Sequence, residues 1–103
     1  MKEPVEKIVA HVDPDLRDLI PSYLKNRQRD IVTIKKALNA SDFAKIRELG
    51  HSMRGSGGGY GFMPISIIGE ALEKAAKEND PDQINNRLAE LSDFLQRVTL
   101  VYD

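Results

Sequence analysis

Residues 43–76 read FAKIRELGHSMRGSGGGYGFMPISIIGEALEKAA. Apolar or small residues recur at helical spacing on both sides of a glycine-rich centre: Phe43, Ile46, Leu49, Gly50 and Met53 before it, Ile65, Ile68, Gly69, Leu72, Ala75 and Ala76 after it. Each set falls on one stripe of a 3.6-residue repeat, so each predicts an amphipathic helix with a single inner face. Pro64 suits the opening turn of the second helix, where its missing N–H leaves no bond unmade. Two helices with inner faces, joined by a short link, form a hairpin that needs further helices to cover it.

The flanking sequence supplies them. Downstream, Asp80 reads as an N-cap before Pro81, and Ile84, Leu88, Leu91, Leu95, Val98 and Val101 make a nearly heptad-spaced stripe. Upstream, Asp13 reads as a cap for a helix beginning at Pro14, with Leu16, Leu19, Ile20, Tyr23 and Leu24 on one face and Pro21 expected to kink or divide it. The pattern resumes at Ile31, Ile34 and Leu38, breaks at Asn39 and Ala40, and restarts with Ser41 as the expected N-cap. Nowhere does apolar and polar alternation run long enough to suggest a strand. The expected fold is all-α: an antiparallel four-helix bundle, with a short additional N-terminal helix before Asp13 covering one end.

Composition narrows the function classes. The 103 residues suit one domain spanning the whole chain, with 41% hydrophobic and 30% charged residues. A formal net charge of -1, with Lys and Arg interleaved among Asp and Glu, provides no basic field for nucleic acid. The absence of cysteine excludes disulfides, thiol catalysis and cysteine-ligated metal. No signal-peptide core or membrane-length apolar run is present, so a cytoplasmic protein is expected, and Met1 favours a whole gene product.

The stretch Gly50 to Phe62 is poorly suited to mere folding, because six glycines sit in or just after a helix. Each glycine in a helix interior costs roughly 0.5–1 kcal/mol relative to alanine. A phosphate-cradling P-loop is excluded, since its Lys-Ser/Thr ending and preceding strand are missing. Two readings stay open: a flexible connection after a helix ending near Arg54, or a continuing helix whose missing side chains admit a neighbouring helix or a docking partner. On a helix, His51 lies about 140° around from Ile46, outside the buried stripe. It therefore faces solvent, with Ala44, Arg47, Glu48, Arg54, Gly55 and Gly58 on or beside the same outer face. A neutral imidazole is a nucleophile able to take and return a phosphoryl group, and a guanidinium one turn away can bind phosphoryl oxygens.

The pattern His51-x-x-Arg54-Gly55-Ser56, with Gly61 ten positions after the histidine, closely resembles the signature of histidine-containing phosphotransfer domains. Residues 19–24 (LIPSYL) and 68–73 (IGEALE) resemble the flanking patterns of free-standing members, so the resemblance spans roughly the whole chain. It implies a phosphocarrier of a two-component phosphorelay without kinase activity of its own, with His51 as the phosphorylated residue. It further implies Arg54 at the position usually held by a supporting lysine, Gly55 as clearance for a partner, and Glu73 near the imidazole as its orienting group. Gly58, Arg47 and Glu48 are candidate docking residues. The implied partners are a response-regulator receiver domain, which would bring the aspartate and the magnesium ion, and a sensor or hybrid histidine kinase. No cofactor or metal of the chain's own, no nucleic acid, no membrane and a monomer are expected.

Arg54 in place of lysine keeps the charge but presents a planar, bidentate donor. The rival reading is a helical interaction module that docks a receiver or kinase without carrying phosphate. For Glu73 the bland alternative is an ordinary pair with Lys77, at the spacing that also joins Glu70 and Lys74. His11 stands alone near the terminus and reads as structural or incidental. Tyr60 and Phe62 read as core.

Overall fold

In the computed structural model, which describes residues 6–103, four helices make up most of the chain: α1 (Ile20–Asn39), α2 (Phe43–Ser56), α3 (Met63–Lys77) and α4 (Pro81–Arg97). A 3-10 helix, Pro14–Leu19, precedes α1, and a second, Gly58–Tyr60, follows α2. The capping chemistry explains most boundaries. Asp13, Asp42 and Asp80 accept hydrogen bonds from the backbone N–H of Asp15, Lys45 and Gln83, while Pro21, Pro64 and Pro81 occupy first turns. Pro21 divides the leading segment as its chemistry requires, with 3-10 geometry before it and α-helix after it.

Ser41 does not cap α2. It adopts a positive φ of 54° in the link, and Asp42, immediately before the first helical residue Phe43, takes the capping role and accepts from the Lys45 N–H. The more substantial correction concerns the two ends of the chain. Residues Ile8–Val12 form a strand, β1, and Val98–Tyr102 form a second, β2, paired in parallel with Ile8 opposite Val98 and Val12 opposite Tyr102. The short N-terminal helix expected before Asp13 is therefore a strand over Ile8–Val12, and residues 1–5 lie outside the described residues. Likewise the α4 stripe stops at Arg97, so Val98 and Val101 belong to β2. Both segments are rich in β-branched residues, and five-residue apolar runs do not by themselves distinguish the two periods.

One core joins all four helices. Ile20 and Ile34 from α1, Ile46 and Met53 from α2, Ile65 and Leu72 from α3, Ile84 and Leu91 from α4, and Phe62 between α2 and α3 are all fully buried. Ala10 and Val12 bring β1 onto the same core. Tyr23 stacks on Tyr60, with centroids 4.2 Å apart, and on Phe62 at 6.0 Å, so the turn after α2 is anchored to α1 by aromatic contact. On the other face of Tyr23 lies the Arg27 guanidinium, 4.4 Å from the ring centre. No helix among the described residues is long and apolar enough to cross a membrane.

The closest packing lies between α2 and α3, and glycine permits it. A Cβ on Gly69 would sit 2.5 Å from the Arg54 nitrogen and 2.7 Å from the Gly50 carbonyl oxygen; one on Gly50 would sit 2.7 Å from the Glu73 nitrogen. Gly57 similarly abuts the Ser66 nitrogen, 2.6 Å from its would-be Cβ. Partners fall from residue 73 to 66 as α2 rises from 50 to 57, so these two helices run antiparallel. The glycine run thus resolves as a helix continuing to Ser56 whose missing side chains admit its neighbour. Gly55 differs, because open space surrounds its would-be Cβ.

This contrast yields opposite expectations for one chemical change. Gly69→Ala should destabilise the fold by about 1–3 kcal/mol, as overpacking does, lowering the melting temperature by roughly 4–8 °C per kcal/mol. Gly55→Ala should stabilise it by up to about 1 kcal/mol through helix propensity. Urea or thermal unfolding of both variants distinguishes them, and equal effects would contradict the packing described.

Candidate functional site

His51 projects from the second half of α2 with 71% of its side chain exposed, as its angle on the helix implies. Directly across the seam, Glu73 on α3 is only 8% exposed and is the one charged residue in the buried set among the described residues. A buried carboxylate is costly unless its oxygens are satisfied. Both are: Glu73 Oε2 lies 3.0 Å from His51 Nδ1, and Oε1 accepts a hydrogen bond from Arg54 Nη1 at 3.2 Å. The carboxylate turns toward these two α2 groups rather than toward Lys77 one turn along its own helix.

Its charge state follows from the same contacts. Burial pushes the Glu73 carboxyl up, but the hydrogen bonds from Arg54 and His51, together with the charges of His51 and Lys77, outweigh it and hold the group below its ordinary value of 4.5. Glu73 is therefore a carboxylate near neutrality and can only accept. It follows that His51 Nδ1 carries the proton and donates it to Oε2. That fixes the tautomer and leaves the Nε2 lone pair on the solvent side.

Arg54 is about half exposed. One Nη1–H is committed to Glu73, and the remaining guanidinium donors stay available beside the imidazole. The last turn of α2, which carries Arg54, is pinned by Ser66 on α3, whose hydroxyl donates to the Arg54 carbonyl at 3.0 Å and accepts from the Gly58 N–H at 2.8 Å. Ser56 Oγ is 2.8 Å from the Tyr23 hydroxyl, a second tie to α1. Ser66 was not singled out from the sequence; its place opposite a helix end, where carbonyls lack partners, is a tertiary fact.

The other expected residues separate into two groups. Arg47 and Glu48 join Ala44, His51 and Glu73 around an open depression beside the imidazole. Gly55 leaves the surface next to Arg54 clear. Gly58, expected on the same outer face, has instead left the helix: it opens the 3-10 turn, and a Cβ there would lie 3.3 Å from Met63 Cε. Two exposed apolar side chains not selected from sequence, Met63 at 59% and Ile67 at 60%, lie one turn apart on α3. The signal was present, since Ile67 falls off the stripe defined by Ile65, Ile68 and Leu72. His11, far from this site, pairs with Asp103 at 2.8 Å on the surface.

A family model described as Hpt domain matches residues 18–99. The chain belongs to the Hpt domain family. Hpt domains are phosphotransfer modules of two-component signalling, carriers of a phosphoryl group rather than kinases. The match covers all four helices; β1 lies outside it, and β2 enters it only at Val98 and Thr99. No curated protein and no solved structure matches the chain.

Because the folded state holds the Glu73 carboxyl below its ordinary value, this group stabilises the Hpt fold above pH 4.5, and the contribution disappears as pH falls through the lowered value. Glu73→Gln removes that dependence. Denaturant midpoints measured from neutral pH into the acid range should fall less steeply for Glu73→Gln than for the parent, and parallel curves would contradict the assignment.

Proposed function

We propose that this Hpt domain is a histidine phosphocarrier in a two-component phosphorelay, moving a phosphoryl group reversibly between His51 and an aspartate of a response-regulator receiver domain. The observation that carries this reading is a solvent-facing imidazole whose Nδ1–H is held by a buried carboxylate, so that Nε2 is the free nucleophilic atom.

In transfer toward the chain, Nε2 attacks the phosphorus of the receiver's aspartyl phosphate. The N–P bond forms as the P–O bond to the receiver carboxyl breaks, and that carboxylate leaves with the bonding pair. Nδ1 keeps its proton, so the phosphorylated ring is cationic, and the Glu73 charge 3.0 Å away stabilises it. Transfer in the other direction is the reverse, with the cationic ring as leaving group. The uncommitted donors of Arg54 bind phosphoryl oxygens and neutralise charge that accumulates on them. The receiver supplies the magnesium ion and the acidic pocket. Phosphoryl transfer depends on in-line positioning and charge neutralisation, so an open site suffices once a second protein closes over it.

The docking surface is the ground around His51. Gly55 gives clearance for close approach, Arg47 and Glu48 provide polar contacts, and the exposed Met63 and Ile67 provide an apolar anchor of the kind that interface cores use.

The test is to incubate the purified protein with a sensor kinase and a panel of phosphorylated receivers and follow acid-labile, base-stable phosphate. Label is expected on the parent and absent from His51→Gln. Glu73→Ala should transfer about tenfold to a hundredfold more slowly, having lost both the tautomer lock and the counter-charge, and Glu73→Gln should lie between. Label on neither parent nor variant would favour a docking module that carries no phosphate, and equal label on both would mean that another residue is modified.

A further inference from the structure

The parallel pair β1 and β2 ends in two different edges. In a parallel ladder each residue turns its N–H and C=O to one side, and successive residues alternate. The Asp103 N–H donates to the Val12 carbonyl at 3.3 Å. With Val12 opposite Tyr102, that bond directs Thr99, Val101 and Asp103 toward β1 and turns the backbone groups of Leu100 and Tyr102 away from it. On β1, by the same alternation, the His11 carbonyl points outward. Gly61, at a φ of +93°, lies against that carbonyl so closely that a Cβ would be 2.9 Å from its oxygen. The outer edge of β1 is thus covered by the turn after α2. The outer edge of β2 is bare: among the described residues, no backbone hydrogen bond outside the ladder reaches Leu100 or Tyr102.

Nothing in β2 protects that edge. The segment Val98-Thr99-Leu100-Val101-Tyr102 contains no charge and no proline, and its register with β1 runs without a bulge; charges, prolines and bulges are the usual devices that keep an edge strand single. A sheet of two strands is also marginal by itself, and parallel pairing is ordinarily found within larger sheets.

We propose that a second copy of this chain adds its own β2 to this edge, antiparallel, about a two-fold axis at Leu100, giving a four-stranded sheet in the order β1-β2-β2-β1. The strand is self-complementary about that axis. The two Leu100 residues exchange both backbone hydrogen bonds. Val98 faces Tyr102 of the second copy, Thr99 faces Val101, and Arg97 faces Asp103, so that β-branched residues meet aromatic or β-branched ones and opposite charges close both ends. Arg97 already contacts Asp93 at 2.9 Å and, on the β1 side, the Glu6 carbonyl at 2.6 Å and the Glu6 carboxylate at 3.7 Å, while Asp103 contacts His11 at 2.8 Å; the pairing across the axis sets the half-buried Arg97 opposite the exposed Asp103 in addition to these. Moving the axis by one residue in either direction shortens the ladder and removes the Arg97–Asp103 match. This proposal departs from the monomer expected from sequence, and its contacts come from β2 rather than from α2 and α3, which carry His51 and Glu73.

The test is light scattering on the full chain across a concentration series, in which a species of twice 11.6 kDa is expected. Leu100→Pro removes an N–H that serves only the outer edge and should weaken association about thirtyfold, through the two bonds lost across the axis. Asp103→Arg, at the exposed strand end, should weaken it by setting like charges opposite Arg97, with association recovering as salt is added. A parent that stays monomeric into the millimolar range overturns the proposal, and so does a dimer that both variants leave unchanged.

Discussion

Everything at the site depends on how closely α2 and α3 approach. Gly50 and Gly69 remove the two side chains that would hold the helix backbones apart, and a methyl at either would meet backbone atoms at 2.8 Å or less. At that separation the Glu73 side chain, rooted beside Gly50, spans the seam and reaches both His51 and Arg54. At ordinary interhelical distances the same carboxylate would pair with Lys77 on its own helix or turn to solvent. The conformational freedom of glycine is less important here than its lack of bulk; only Gly61, at a positive φ against β1, uses the former.

The seam shows how an open surface site can hold the groups that the proposed transfer needs. A carboxylate taken out of water is unfavourable unless both oxygens are occupied, and here an imidazole N–H and a guanidinium occupy them. The arrangement works in both directions. The two α2 groups keep Glu73 ionised, and the ionised Glu73 fixes which imidazole nitrogen faces outward and supplies the charge that a phosphorylated ring would need. Ser66 and the Tyr23–Ser56 contact hold the end of α2 to α3 and α1, so the geometry of the site is inherited from the packed helices rather than from a loop.

Much of this was legible in the sequence, for identifiable reasons. The outward position of His51 follows from angular arithmetic on a strongly periodic helix, and the starts of α3 and α4 from Pro64, Asp80 and Pro81. The placement of Glu73 by the imidazole came from family resemblance; spacing alone allowed the Lys77 pair equally. The roles of Ser66, Met63 and Ile67 required the tertiary arrangement, although Ile67 off the buried stripe was a visible clue. Gly58 lies past the end of α2 at Ser56, where the backbone tightens into a 3-10 turn that regular helical spacing does not show. The strands were missed for a simpler reason. Val98 and Val101 continue the heptad spacing of Leu91 and Leu95, so the period cannot show where α4 stops, whereas the density of β-branched and aromatic residues in Val98–Tyr102 points to a strand.

The contact between Glu73 Oε2 and His51 Nδ1 leaves Nε2 as the atom proposed to react. The most direct measurement is nitrogen-15 NMR of the imidazole in the full chain at neutral pH, which distinguishes the two neutral tautomers. The expected result is a ring whose neutral form is protonated at Nδ1, with that preference relaxing in Glu73→Ala. A neutral ring protonated mainly at Nε2, or a tautomer balance unchanged by Glu73→Ala, would contradict it.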